Sequence, residues 1–250
     1  MESSTLTSLP LDLLWSVVKD KVDHTDALSS SFFSSCKLFR NARHQYAQAA
    51  KAAHIIDDNH SINRFDQVRI IVDLLSLSKF SSLQTLNMGG CHGIKDVSPL
   101  SSLSSLHTLN CRYCKGLNDL SPLSSLSSLQ TLNLDGCDGI TDLSPLSSLS
   151  SLHTLDCRYC EGLTNLSPLS SLTSLRNLNC GFNTGITDLS PLSNLSSLHT
   201  LNCSGCDGIT DLSPLSSLSS LHTLNCSSCD GITDLSPLSS IASLTIMGPG

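Results

Sequence analysis

"TLNCSGCDGITDLSPLSSLSSLH", residues 200 to 222, carries two cysteines three positions apart, and the next stretch, "TLNCSSCD", carries two more. Cys203, Cys206, Cys226 and Cys229 spell C-x2-C-x19-C-x2-C, a spacing that in isolation reads as a zinc site. The rest of the chain shows where that spacing comes from. Prolines recur every 23 residues from Pro99 to Pro237, glycines do so from Gly93 to Gly231, and leucines from Leu83 to Leu244. Cys111, Cys157, Cys180, Cys203 and Cys226 share one place in this period with Met88 and Leu134, so that place is apolar. Cys91, Cys114, Cys137, Cys160, Cys206 and Cys229 share another with Asn183. The zinc spacing is the period itself, and buried cysteine packs as a small hydrophobe. No metal is expected.

One period can be read physically. In "SLHTLNCRYCKGLNDLSPLSSL", Leu106, Leu109 and Cys111 point inward along a short strand, while Thr108, Asn110 and Arg112 alternate outward. Gly116 is expected to turn the chain with a backbone angle that glycine adopts cheaply. Ser121 before Pro122 has the order of a helix cap followed by proline, predicting a short 3-10 turn that buries Leu123 and Leu126. No single coil can bury its leucines; stacking coils does so.

A 23-residue period with these leucines resembles the leucine-rich repeat family. The strand half resembles the cysteine-containing repeats of F-box proteins. The "GITDLSPLSSL" half is similar to internalin-type and trypanosomal leucine-rich repeats, some of them described as adenylate cyclase regulators. The expected fold is α/β: a leucine-rich repeat solenoid with short parallel strands on its concave face and 3-10 turns on its convex face. Seven full repeats and a truncated eighth occupy residues 83–250, and a linker with a degenerate first coil, carrying Ile71, Leu74, Leu77 and Phe80, occupies 56–82.

Residues 1–55 differ in composition and read as a small all-α head. "LPLDLLWSVVKDKVDHTDALSSSFFSSCKLFRNAR", residues 9 to 43, resembles an F-box through Leu9-Pro10, Leu13-Leu14, Asp26-Ala27-Leu28, Cys36-Lys37 and Phe39-Arg40. Ala27 separates Asp26 from Leu28, and Phe39 stands where the family carries tryptophan. The resemblance implies docking on the adaptor of a cullin–RING ubiquitin ligase, with Leu9, Pro10, Leu13, Leu14, Val18 and Leu28 as apolar anchors. The solenoid would then hold the protein to be ubiquitinated. Two other readings stand beside it: a helical cap over the solenoid's open end, and a cyclase-regulator-like recognition scaffold with no ubiquitin role.

Charge bounds the partners. The net charge is −7, and from Leu83 onward the chain has five basic against twelve acidic residues. An acidic solenoid is a poor match for a phosphate backbone, so no nucleic acid is expected. No run of 18 or more apolar residues exists, and the opening stretch lacks a basic n-region and has its apolar run broken by Pro10 and Asp12, so neither a membrane span nor export is expected. Twelve cysteines then read as thiols of a reducing compartment, cytoplasmic or nuclear.

Variation among the repeats locates a target surface. The Thr108 and Asn110 rows hardly change, whereas Arg112, Tyr113, Lys115, Arg158, Tyr159, Arg176 and Phe182 stand where other repeats carry glycine, serine, aspartate or histidine. Arginine and tyrosine are hot-spot residues, and a basic-aromatic patch would suit an acidic or phosphorylated segment of a protein target. The plainer reading is that the repeats drift and these side chains merely shield strand edges. His107, His153, His199 and His222 share a row with Gln84, Gln130 and Arg176 and read as polar filler. No glycine-rich phosphate loop or catalytic constellation stands apart from the period, so neither an enzymatic activity nor a cofactor is expected.

Overall fold

The computed structural model describes residues 82–248 and the backbone of 61–62. Eight three-residue strands stack side by side: β2 (Thr85–Asn87), β3 (Thr108–Asn110), β4 (Thr131–Asn133), β5 (Thr154–Asp156), β6 (Asn177–Asn179), β7 (Thr200–Asn202), β8 (Thr223–Asn225) and β9 (Thr245–Met247). A two-residue strand, β1 (Ser61–Ile62), pairs with β2 at the edge and falls inside the degenerate stretch. All pairs are parallel and in chain order, Thr108 facing Thr131 and Leu109 facing Leu132. A parallel pair needs a crossover connection, and here each crossover is one coil.

The middle residue of each of β2 to β8 is buried, and its neighbours are partly exposed, apart from the exposed Asn177 in β6, as a two-residue strand period requires. In the coil of β3, Leu106, Leu109, Cys111, Cys114, Leu117, Leu120, Leu123 and Leu126 are all buried. The opposite wall is a row of 3-10 turns that includes Ser98–Ser102, Ser121–Ser125 and Ser144–Ser148, shortening to Ser190–Leu192 and its two successors. Each places proline in its first turn, where a missing N–H costs nothing.

Two local expectations are corrected. Serine does not cap these turns: Ser144 lies within its turn, and its N–H donates to Oδ1 of Asp142, two residues earlier, at 2.8 Å. Hydrogen bonds from the Ser144 hydroxyl and N–H hold the Asp142 carboxyl below its ordinary value. The Gly116 row, in turn, is not in the left-handed region. From Gly116 onward its glycines are required by close approach: a Cβ on Gly139 would stand 2.7 Å from the Leu117 carbonyl oxygen, whereas one on Gly93 would meet nothing within 4 Å. The left-handed place is three residues earlier, where Tyr113, Tyr159, Phe182 and Ser228 have φ of 57°, 54°, 60° and 57°, alternating with Gly90, Gly136 and Gly205.

The final coil is one residue short. Thr223 pairs with Thr245, 22 residues on, because Leu244, at the place of Leu221, runs straight into Thr245 with no counterpart of His222. Leu244 and Ile246 remain only partly buried against the core.

The cysteines form a hydrogen-bonded ladder. The thiol of Cys114 donates to the Met88 carbonyl at 3.1 Å, that of Cys137 to Cys111 at 3.1 Å, and that of Cys229 to Cys203 at 3.1 Å. Asn183 takes the same rung, its Nδ2 donating to the carbonyls of Cys157 at 2.9 Å and Cys180 at 2.8 Å. Each rung ties a turn to a carbonyl 26 residues earlier, which satisfies backbone that stacking would otherwise orphan. Burial pushes the Cys137 and Cys160 thiols up to about 12. Among the described residues no group of three or more His, Cys, Asp or Glu is arranged to hold a metal.

Candidate functional site

The left-handed row follows directly on the strands, and three bulky side chains occupy it. An L-residue there costs roughly 1–2 kcal/mol, which favours the glycine that Gly90, Gly136 and Gly205 supply in other coils; Ser228 fills the remaining one. Tyr113, Tyr159 and Phe182 nevertheless stay 40%, 44% and 43% exposed, so burial explains only part of their presence. Tyr159 and Phe182, on neighbouring coils, stack with ring centroids 4.5 Å apart and planes 4° apart. The ring of Phe182 lies against Gly205, and that of Tyr113 against Gly136, where a Cβ would fall 2.2 Å from Tyr113 Cδ1. Glycine at the next coil is what lets each ring lie down.

The arginines are already engaged. Arg112 Nε donates to Asp135 Oδ2 at 2.6 Å, and Arg158 Nη2 reaches the same oxygen at 3.2 Å. Asp135 is fully buried, and its Oδ1 has no hydrogen-bond partner among the described residues. Arg112 also donates to the Tyr113 hydroxyl at 2.9 Å and stacks over that ring at 4.5 Å. Those contacts, the tyrosine first and Asp135 second, raise its pKa. Arg158 Nε stands 3.4 Å from Asp156 Oδ2, and Lys115 Nζ stands 3.1 Å from Asp138 Oδ2. Burial pushes the Asp156 carboxyl up despite its Arg158 neighbour.

Three cations therefore meet three carboxylates, Asp135, Asp138 and Asp156, and Glu161 adds a fourth acid beside them. The patch is aromatic with its positive charge neutralised, a weaker match for an acidic or phosphorylated segment than the sequence alone implies. An open cleft of about 320 Å³ is lined by Tyr113, Lys115, Gly136, Asp138, Tyr159 and Glu161. Here Asp135, Asp138 and Asp156 are held by Arg112, Lys115 and Arg158, and Glu161 lines the cleft outside those ion pairs.

Of the residues singled out in the sequence, Tyr113, Lys115 and Tyr159 meet in the cleft, with Arg112, Arg158 and Phe182 beside it. Arg176 is elsewhere, exposed one residue ahead of β6 in the row of His153 and His199. His199 and His222 stack at 5.4 Å, and each Nδ1 is bonded to a serine carbonyl. Leu9, Pro10, Leu13, Leu14, Val18 and Leu28 lie outside the described residues. Asp135 was missed, although an acid flanked at one period by Arg112 and Arg158 is legible in the row.

Short parallel strands and 3-10 turns define a solenoid of stacked coils with an exposed aromatic row beside its sheet. The chain matches the family described as Leucine Rich repeats (2 copies) over residues 81–125, 104–148, 127–171, 150–194, 173–216 and 196–240, and it belongs to that family. Proteins of this family bind protein partners. Among solved structures it is similar to an internalin (inlF) from Listeria monocytogenes, with 32% identity and a TM-score of 0.64 over 71% of this chain and 51% of that one. It is also similar to an internalin C2 (inlC2) from the same organism, with 32% identity and a TM-score of 0.60 over 70% of this chain and 74% of that one. A leucine-rich repeat protein of Leptospira interrogans shares the fold at 19% identity, with a TM-score of 0.55 over 72% of this chain and 46% of that one. The chain thus spans about half the length of the first internalin. No curated protein sequence matches.

Proposed function

We propose that this chain is a protein-recognition module whose target seats on the row of Tyr113, Tyr159 and Phe182, on the concave side of the solenoid. The observation that carries the reading is the left-handed backbone of three large rings that remain about two-fifths exposed. Strain held at surface aromatics points to use, because glycine at the same place would spare the fold its cost. Peptide-display selection against the full chain, with counter-selection on a Tyr113→Gly, Tyr159→Gly variant, tests it. Glycine is what neighbouring coils carry there, so the variant keeps the fold. Binders lost on the variant support the reading; selected binders indifferent to it overturn it.

The segment Leu9-Pro10 to Arg40 supports a second reading on its sequence alone: the module is the substrate-recognition adaptor of a cullin–RING ubiquitin ligase. Free, buried thiols at the eleven described cysteines suit the reducing cytoplasm or nucleus that such a role requires. Pull-down with the purified ligase adaptor, comparing wild type with a Leu9→Ala, Pro10→Ala variant, decides it. Binding that the variant loses supports the adaptor role. Failure of a well-folded wild-type chain to bind leaves a recognition or regulatory scaffold with no ubiquitin role.

A further inference from the structure

The rings of the left-handed row are not evenly spaced. Tyr159 and Phe182 stand on adjacent coils at 4.5 Å, one strand spacing. Tyr113 and Tyr159 are two coils apart with Gly136 between them, and all three rings lean toward the following coil. Their rings are therefore separated by about two strand spacings, roughly 9 Å. Stacked planar groups keep their centres about 4.5–7 Å apart, so a spacing of that size admits one flat group between the two rings.

Charge selects which flat group. In the cleft, Lys115 is matched by Asp138 at 3.1 Å, while Glu161 is in no ion pair among the described residues. The cleft carries one net negative charge on an acidic solenoid. A carboxylate or phosphate entering it would meet like charge. A guanidinium is planar, weakly hydrated and attracted to aromatic faces, whereas an ammonium is compact and holds its water. Arg112 already shows the pairing from within, stacked on Tyr113 at 4.5 Å.

We infer that the slot between Tyr113 and Tyr159 takes an arginine side chain of the bound protein, with Glu161 as its counter-charge. This rests on the protein-recognition reading above and names the chemistry of the partner. The chain has three tyrosines, Tyr46, Tyr113 and Tyr159, so ring-labelled tyrosine gives a resolved readout in the full-length protein. The probe is a blocked Gly-Arg-Gly peptide, with its citrulline counterpart as the uncharged, flat control.

The expected result is that the Tyr113 and Tyr159 ring signals shift together and saturate. Citrulline in the peptide, or Glu161→Gln in the protein, should weaken binding about tenfold, the loss of one charge-assisted stacking contact. No saturable shift at millimolar peptide, or equal shifts with citrulline, overturns the inference. The two failures are distinguishable. If display-selected binders depend on Tyr113 and Tyr159 but need no arginine, the inference falls and the recognition reading stands; if none depends on the tyrosines, the reading beneath it falls.

Discussion

Asn183 interrupts the cysteine ladder, and replacing it by cysteine should stabilise the protein. Its Nδ2 donates to the carbonyls of Cys157 at 2.9 Å and Cys180 at 2.8 Å, while its buried Oδ1 has no partner among the described residues. In Asn183→Cys the thiol would reach the Cys157 carbonyl, as Cys206 reaches Cys180 at 3.3 Å and Cys229 reaches Cys203 at 3.1 Å. The variant gives up the bond to Cys180, worth about 0.5–1.5 kcal/mol, but that carbonyl keeps the Cys206 thiol. It also removes an unsatisfied buried acceptor, which costs about 1–3 kcal/mol. The balance is a gain of about 1 kcal/mol, or a melting midpoint higher by about 2–4 °C for a chain of this size. Asn183→Ala supplies no donor for the Cys157 carbonyl and should be less stable than the cysteine variant by about 1–3 kcal/mol. Denaturant unfolding under reducing conditions, followed by circular dichroism, measures both. A cysteine variant less stable than wild type by more than about 1 kcal/mol would refute the reasoning, since Oδ1 would then have to be satisfied.

Gly139→Ala should cost about 1–3 kcal/mol, because its Cβ would press on the Leu117 carbonyl oxygen at 2.7 Å, whereas Gly93→Ala, with nothing within 4 Å, should stay within about 0.5 kcal/mol; paired unfolding curves compare them. Asp156 has its folded pKa raised above the usual 3.8, burial being the first cause, so its ionised form subtracts stability at neutral pH and the loss fades as pH falls through the raised value. Asp156→Asn, the residue of the neighbouring coils, should therefore stabilise at pH 7 and progressively less toward acid, as melting midpoints across that range would show. The eleven described cysteines are buried, so a maleimide at pH 8 should label none of them in the native chain and all of them after unfolding; native labelling at Cys137 or Cys160 would contradict their burial.

Much of the fold was legible because it repeats. A leucine that recurs every 23 residues must meet its own kind, so the parallel in-register sheet, the 3-10 wall and the inward cysteines follow from one period. The cap was misread because Ser-Pro looks like a cap at the level of residue preference. In space the carboxylate of Asp142 reaches the Ser144 N–H first. The glycines were misread for a related reason: sequence shows that a side chain is excluded, but not whether torsion or a neighbouring carbonyl excludes it.

At the candidate site the division is sharper. The sequence by itself determined which residues depart from the repeat, and that Arg112, Tyr113, Lys115, Arg158, Tyr159 and Phe182 gather on adjoining coils, because position in a stacked array is set by the period. Only the tertiary structure decided that Arg112 and Arg158 are held by Asp135, that the rings sit on left-handed backbone, and that Gly136 makes room for the Tyr113 ring. Those facts depend on backbone angle, on the direction each ring leans and on distances of a few ångströms across coils. A period in the sequence fixes neighbours, but it does not fix torsions or which charge reaches which.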